Sequence, residues 1–508
     1  MPDRSIGGAA RRLPPAGAGS AVQPFRSPAC LKGMNDKCVS LISALLVLSL
    51  GLASAAGVPP PRDFSQLDAS IRAEMKAGGV PGAAAVVVVD GRVAHRAVFG
   101  VESVETGRAV VEDSMFRLGS TTKMFVALAA LQLAESGKLD LRAPISRYAP
   151  DLDPSIGRLT MDQILSHTAG LRDDAPMRGP LDESALGARV RSWNRDAFFT
   201  EPGEVFSYAN PGYVLAGYVV ERVAGKPFAD AVHDLVLAPL GMERSTFRPL
   251  EAMTRPLALG HHPGPKGPEV VRPFAEDAAN WPPGSLFTDL DEMGRFLTAL
   301  VSGGRVDGRP AIPETVIRAA ANPHADVAAL GRRYGYGLEL RTERGVEVVE
   351  HTGARLGYGS IVWTVPSRGF AVALMANRSG AIFFESARKA MADALDLPPD
   401  PPVPGAAPVA MTADEMKRAA GSYVNSASIR ADLFVEDGKL FVRSPANPKK
   451  PIEVGKIGEG RYEADGAGPL AFFRLVPANA NPVPTYLLVE HWAARRVEPA
   501  AEPEKETK

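Results

Sequence analysis

The apolar positions of the chain change period several times, and each change marks an element. Over residues 64–77, Leu67, Ile71 and Met75 recur every fourth place, the stripe of an amphipathic helix. Gly78-Gly79 is placed to end it. Residues 83–89 and 92–99 are β-rich runs joined by Asp90-Gly91, a dipeptide that favours a two-residue hairpin. Their apolar density predicts a sheet covered on both faces. From Met124 to Leu133 the chain is apolar almost all round, which predicts a buried helix ending near Gly137. Residues 138–200 read as loops and short helices, with one stretch over 161–170. A helix is predicted over 213–224 and a long Pro- and Gly-rich loop over 251–281. Another helix is predicted over 289–303, with Met293, Phe296, Leu297 and Leu300 on one side. Strands return at 336–340, 346–350, 360–365 and 370–376, and a helix over 385–396 closes the region.

Strands at both ends and helices between them fold most simply as an α+β domain over residues 64–396. One antiparallel sheet is flanked by helices and carries a helical subdomain. Residues 397–410 form a Pro-rich linker, semi-rigid and extended. Beyond it, 411–495 holds short strand patterns at 433–435, 439–443, 461–463, 470–476 and 485–490, the signature of a small C-terminal β domain. Residues 496–508 are charged and expected to be disordered.

The N-terminus follows another pattern. Residues 34–56 carry Lys37, an apolar core over 39–52 and the small-residue box Ala53-Ser54-Ala55, which reads as a signal peptide. The core is short for a membrane span. Export to the periplasm or medium is therefore expected, with no membrane contact after cleavage near Ala55 or Ala56. Residues 1–33 have no apolar periodicity and read as a disordered or mis-assigned extension before a start at Met34. Cys30 and Cys38 both precede the cleavage site, so the mature chain has no thiol for a disulfide, a nucleophile or a metal.

Composition acts mainly by exclusion. The chain has 508 residues, a formal net charge of −1, 45% hydrophobic and 23% charged residues. That is ordinary for a soluble globular protein. It gives no basis for nucleic acid or an anionic membrane surface as a partner. It leaves the oligomeric state open.

The chemistry begins at Ser120-Thr-Thr-Lys123, where the apolar helix starts. Residues at i and i+3 share a helix face, about 5–6 Å apart at Cβ. A serine hydroxyl needs an adjacent base, and a lysine serves if burial or a second cation lowers its pKa. Alone, the tetrapeptide fits equally a helix N-terminus with Ser120 as cap and Lys123 in solvent. Three further segments bear on the choice: Leu165-Ser-His-Thr-Ala-Gly-Leu171, Phe206-Ser-Tyr-Ala-Asn210 and His351-Thr-Gly353. Tyr208 and Asn210, ahead of Pro211-Gly212, also suit a turn. His167 reads as a structural brace. His261-His262 has no third ligand at metal spacing, and no metal or cofactor is expected.

These segments, in this order, resemble the motifs of the serine β-lactamase and penicillin-binding protein superfamily. The wording is similar to its class C β-lactamase-like group, with D,D-carboxypeptidases, D-aminopeptidases and esterases. Gly284-Ser-Leu-Phe-Thr-Asp-Leu-Asp291 adds a fifth match, and the resemblance spans about 64–396. It implies a β-lactamase/transpeptidase-like fold, and the C-terminal part is similar to small β-barrel domains appended to such hydrolases. The resemblance implies that Ser120 is the acyl-forming nucleophile and that Lys123 activates it or holds the proton network, the base being disputed. Tyr208 would shuttle protons, its phenol made basic by cations at Lys123 and His351. Asn210 would bind Lys123 and the substrate amide, and His351, Thr352 and Gly353 would flank the substrate. Backbone N–H groups of Ser120 and Ala354 would form the oxyanion hole, each worth roughly 3–4 kcal/mol in the transition state. The third motif opens with His351 rather than lysine, and a histidine is a weaker carboxylate anchor at neutral pH. Arg355 is the candidate replacement, by bidentate pairing. The expected substrates are D-Ala peptides or small esters first. The alternatives are a class C-like β-lactamase, or a penicillin-sensing protein without turnover.

Overall fold

The computed structural model describes residues 62–174, 176, 178–398, 408–477 and 482–497. The signal segment, the extension before it, most of the Pro-rich linker and nearly all of the charged tail lie outside the described residues.

Helix α1 (Ser65–Gly78) buries Leu67, Ile71 and Met75 and ends on left-handed Gly79, as the periodicity predicts. Strands β1 (Gly82–Val89) and β2 (Arg92–Gly100) form a hairpin whose turn residues both have positive φ, 52° at Asp90 and 68° at Gly91. Six more strands complete the sheet: β3 (Ala325–Val327), β4 (Arg332–Tyr334), β5 (Glu339–Glu343), β6 (Val346–Arg355), β7 (Tyr358–Val365) and β8 (Phe370–Ala376). Their order is β2-β1-β8-β7-β6-β5-β4-β3, antiparallel throughout. The N-terminal hairpin thus joins the later strands through β1 and β8, from Ala83 opposite Ala376 to Val88 opposite Ala371.

Strand β1 shows why the sheet has two cores. Ala84, Val86 and Val88 point into one, with Phe125 and Phe296. Ala83, Ala85, Val87 and Val89 point into the other, with α1 and Met391 of α5. Helices α2 (Thr122–Glu135), α3 (Asn210–Ala224) and α4 (Leu290–Val301) supply the first, and α1 and α5 (Phe384–Leu395) the second. Strand β2 is an edge with exposed alternate residues, so the expectation of full cover holds for β1 and not for β2.

Several boundaries differ for local reasons. Helix α3 begins at Asn210, because Pro211 fits a first helical turn. The stretch at 161–170 is a helix only over Met161–Leu165, after which His167 (φ 59°) and Gly170 (φ 70°) turn the chain. Tyr336-Gly337-Leu338 is a bend, not the start of a strand. A Cβ on Gly337 would lie 2.7 Å from the carbonyl oxygen of Lys123. The loop over 251–281 contains a small hairpin, His261–Gly264 against Gly267–Val270.

The C-terminal part holds helix α6 (Ala413–Ala419) and nine strands. They are β9 (Gly421–Val424), β10 (Arg430–Glu436), β11 (Lys439–Arg443), β12 (Ile452–Glu453), β13 (Gly455–Gly458), β14 (Arg461–Glu463), β15 (Phe472–Val476), β16 (Tyr486–Val489) and β17 (Trp492–Val497). The sheet runs β12-β11-β10-β9-β17-β16-β15-β14-β13. Its two outermost strands are separated in sequence by Val454 alone, so the sheet curls into a near-closed barrel around Tyr423, Leu433, Leu440, Phe473 and Leu487. This domain and the hydrolase domain belong to one unit, Arg62–Lys508.

Candidate active site

Ser120 lies in a tight turn, Gly119–Thr121, at the head of α2. Gly119 adopts φ 58°, and a Cβ there would sit 2.8 Å from the Ala354 nitrogen. A Cβ on Gly353 would sit 1.9 Å from the Leu118 carbonyl oxygen. The turn and β6 therefore touch backbone to backbone. Ser360 on β7 fixes the contact: its hydroxyl donates to the Leu118 carbonyl at 2.6 Å and pairs with Thr121 Oγ1 at 2.8 Å. The Ser120 and Ala354 backbones, the expected oxyanion donors, are brought side by side.

Lys123 is fully buried one turn further on. Its Nζ lies 3.2 Å from Ser120 Oγ, 2.8 Å from Asn210 Oδ1 and 2.8 Å from the Pro283 carbonyl oxygen. Burial holds its pKa well below the usual lysine value; Arg355 adds to this and Asp173 opposes it. An ammonium would donate to all three oxygens. The neutral amine that burial favours donates to Asn210 and Pro283 and turns its lone pair to the Ser120 hydroxyl.

Asn210 is held in turn by Asp173, whose Oδ1 accepts from its backbone N–H at 2.9 Å and from Nδ2 at 3.1 Å. Tyr208 lies beside Lys123, with Nζ 4.8 Å from the ring centroid. Burial pushes the phenol far above its ordinary value, a rise that a hydrogen bond with Ser120 partly offsets. Burial thus outweighs the cations expected to make this phenol basic. His167 braces this segment: Nδ1 accepts from the Ala209 N–H at 3.1 Å, and its carbonyl accepts from the Ser207 N–H at 2.9 Å.

His351, Thr352 and Ala354 line the same cavity as Ser120, Tyr208 and Asn210, about 310 Å³ in volume. His351 donates from Nδ1 to the Thr352 carbonyl, and Nε2 accepts from the Tyr334 hydroxyl at 3.2 Å. Burial, with Lys123 close by, pushes its pKa down to about 3. The ring is neutral at pH 7 and is no cationic anchor. Arg355 does not line the cavity. It is buried behind the wall near Arg117, Glu276 and Asp277, where burial and Arg117 push its guanidinium down to about 9. The expectation of a carboxylate anchor at Arg355 is corrected by that placement.

The rest of the wall was not foreseen. Arg332, Tyr334, Glu339, Glu350 and Phe384 line it from the hydrolase domain, and His491 and Trp492 from the C-terminal domain. The turn at Glu490 (φ 46°) presses onto the tyrosine segment. Tyr208 N–H donates to the His491 carbonyl at 2.8 Å, and Ala493 N–H to Ser207 Oγ at 3.1 Å. Trp492 Nε1 donates to Asp173 Oδ2 at 3.2 Å, and His491 Nε2 pairs with Glu339 Oε2 at 2.6 Å. Asp173 had a signal, falling three residues after Gly170 of a quoted motif. His491 and Trp492 had none, because their role depends on a contact between distant segments.

An α+β sheet carrying a serine at the tip of a buried helix, with a buried lysine in reach, defines a serine hydrolase. The family model described as Beta-lactamase matches residues 67–396, and the chain belongs to the Beta-lactamase family. Penicillin-binding protein 4 of Amycolatopsis lactamdurans is 30% identical over 321 residues, 60% of this chain and 83% of that protein. Esterase EstB of Burkholderia gladioli is 30% identical over 313 residues, 54% of this chain and 78% of that protein. The crystal structure of SurE is similar with a TM-score of 0.71 at 26% identity, covering 85% of this chain and 98% of that one. A second SurE structure, with D-Leu, matches at a TM-score of 0.68 and 26% identity, covering 86% of this chain and 100% of that one.

Proposed function

We propose that this chain hydrolyses D-amino-acid peptides or related esters through a covalent acyl-enzyme on Ser120. The observation that carries the reading is Lys123, whose Nζ has two acceptors at 2.8 Å and the Ser120 hydroxyl at 3.2 Å. Neutral Lys123 takes the Ser120 proton as Oγ attacks the substrate carbonyl carbon. The oxyanion points at the N–H groups of Ser120 and Ala354. Tyr208, a neutral phenol, hands a proton to the leaving group and is reprotonated from Lys123. Water then enters, gives its proton to the same network and attacks the ester carbonyl. Ser120 leaves and regains its proton.

The substrate class is supported by three likenesses: a penicillin-binding protein, an esterase, and a structure containing D-Leu. Neutral His351 and the removed Arg355 argue against a cavity built around a β-lactam carboxylate, so a class C-like β-lactamase ranks second. The signal-like segment supports a periplasmic or secreted setting.

The test is Ser120→Ala against a D-Ala-D-Ala peptide, a chromogenic cephalosporin and a short-chain ester. Turnover should fall by at least about 10³-fold and no acyl adduct should form. A variant that hydrolyses the ester at the wild-type rate overturns the proposal. A wild-type protein that keeps a stable penicillin adduct without turnover favours a sensing role instead.

A further inference from the structure

Two residues of the Ser120 cavity take no part in acylation: Glu339 on β5, and His491 at the turn between β16 and β17 of the C-terminal domain. They form a carboxylate–imidazole pair, with His491 Nε2 2.6 Å from Glu339 Oε2. Glu339 is 5% exposed, and its other oxygen pairs with Arg332. Burial opposes its ionisation, but His491 and Arg332 outweigh burial and hold the carboxyl below the usual carboxylate range.

This partner decides what the imidazole offers. A carboxylate only accepts, so Nε2 carries the ring proton. In the neutral ring Nδ1 is then left as an acceptor. Nδ1 has no hydrogen-bond partner among the described residues, and the side chain is 34% exposed on the cavity wall. The ring is also held beside the catalytic phenol. The His491 carbonyl accepts from the Tyr208 N–H at 2.8 Å, and the two ring centres lie 6.4 Å apart. A tie between domains would need Nε2 alone and would not place the other nitrogen in the cavity. An anion anchor would need a net positive charge, which Glu339 cancels even when the ring is protonated. An acceptor beside Tyr208 suits water. The attacking water turns one O–H toward the proton-taking network, and a second acceptor is needed to aim its lone pair at the acyl carbon.

We propose that His491, held by Glu339, orients the water that hydrolyses the acyl-enzyme. The inference rests on the acyl-enzyme reading above and deepens its second half. The water donates one O–H to His491 Nδ1 and the other to the Tyr208–Lys123 network. Its oxygen bonds to the acyl carbon as the network takes the proton facing it. The bond from that carbon to Ser120 Oγ then breaks, and the network returns the proton to Oγ. The proton on the His491 side stays with the product acid.

The experiment follows acetyl-D-alanine p-nitrophenyl ester through its first and later turnovers, with mass spectrometry of the Ser120 adduct. His491→Gln keeps an N–H for Glu339 and the backbone carbonyl for Tyr208, but has no acceptor in the place of Nδ1. Glu339→Gln can donate to Nε2, which moves the ring proton to Nδ1. In both variants the first-turnover burst should keep its rate within about twofold, while steady-state turnover falls by about tenfold or more and the adduct accumulates. Hydroxylamine, a stronger nucleophile than water, should release the adduct and restore turnover. Steady-state rates within about twofold of wild type, or burst and steady state slowed alike, overturn the role. A wild type that keeps a stable adduct has no hydrolysis for His491 to serve and overturns it too. A wild type with neither turnover nor adduct overturns the acyl-enzyme reading itself, and the role of His491 with it.

Discussion

Burial lowers the pKa of both Lys123 and His351, with opposite consequences. A lysine whose pKa falls next to a serine gains in basic function, while a histidine made neutral loses the one its position suggested. His351 therefore carries a definite pH signature. Its folded pKa is about 3 against an ordinary 6.5, so between those values the unfolded chain holds a proton that the folded site refuses. Its contribution to stability is fully present above pH 6.5 and is lost as pH falls toward 3. Denaturant titrations at pH 5 and pH 7 should show a smaller loss for His351→Gln than for wild type. From pH 5 to 8, KM for an anionic substrate should not follow a His351 titration, and a break near 6.5 that vanishes in His351→Gln would refute the neutral assignment. The residue types of the site were legible: Ser120, Lys123, Tyr208, Asn210 and His351 do converge. Their protonation was not, because desolvation depends on Pro283, Tyr213 and Tyr334, which no motif contains.

The elements that carry these residues meet at unusually short range, and glycine is the reason. The head of α2 touches β6 through Gly119 and Gly353, where a side chain at position 353 would strike the Leu118 carbonyl at 1.9 Å. Gly353→Ala should force the Ser120 turn away from β6 and so separate the two oxyanion donors, costing about 1–3 kcal/mol of stability and about a hundredfold in kcat. Gly137, just beyond α2, is the control. It has φ 71° with nothing within 4 Å of a Cβ, so Gly137→Ala should lower stability by about 1 kcal/mol and leave kcat unchanged. Urea melts and steady-state rates on the two variants separate backbone strain from misplacement. At this scale the long elements were readable from periodicity, α1, α2, α4 and β6 to β8 among them. The short strands β3 and β4 at the end of the sheet were not: three residues give no period, and tertiary pairing alone makes them strands.

Over the whole molecule, the near-barrel domain is a wall of the active site rather than an appendage. Five of its nine strands were visible in the sequence, with Asp437-Gly438 as a hairpin signal, but β9, β12, β13 and β17 were not, nor was its placement, because Asp173 and Asn425 are 252 residues apart. Asn425 is the pin. It is fully buried; its Oδ1 accepts from the Asp173 N–H at 3.1 Å, and its Nδ2 donates to Ser207 Oγ at 3.2 Å and the Ala493 carbonyl at 2.8 Å. One side chain thus ties β17, the segment before Tyr208, and the aspartate that holds Asn210. Removing it strands several buried polar groups at once, at about 1–3 kcal/mol each. Asn425→Ala should lower the unfolding midpoint and also reduce kcat by about tenfold or more, because Asp173 and Tyr208 lose their common support. An independently folded appendage would behave otherwise. Asn425→Ala would then melt the barrel in a separate early transition, and ester hydrolysis by the remaining domain would continue at the wild-type rate.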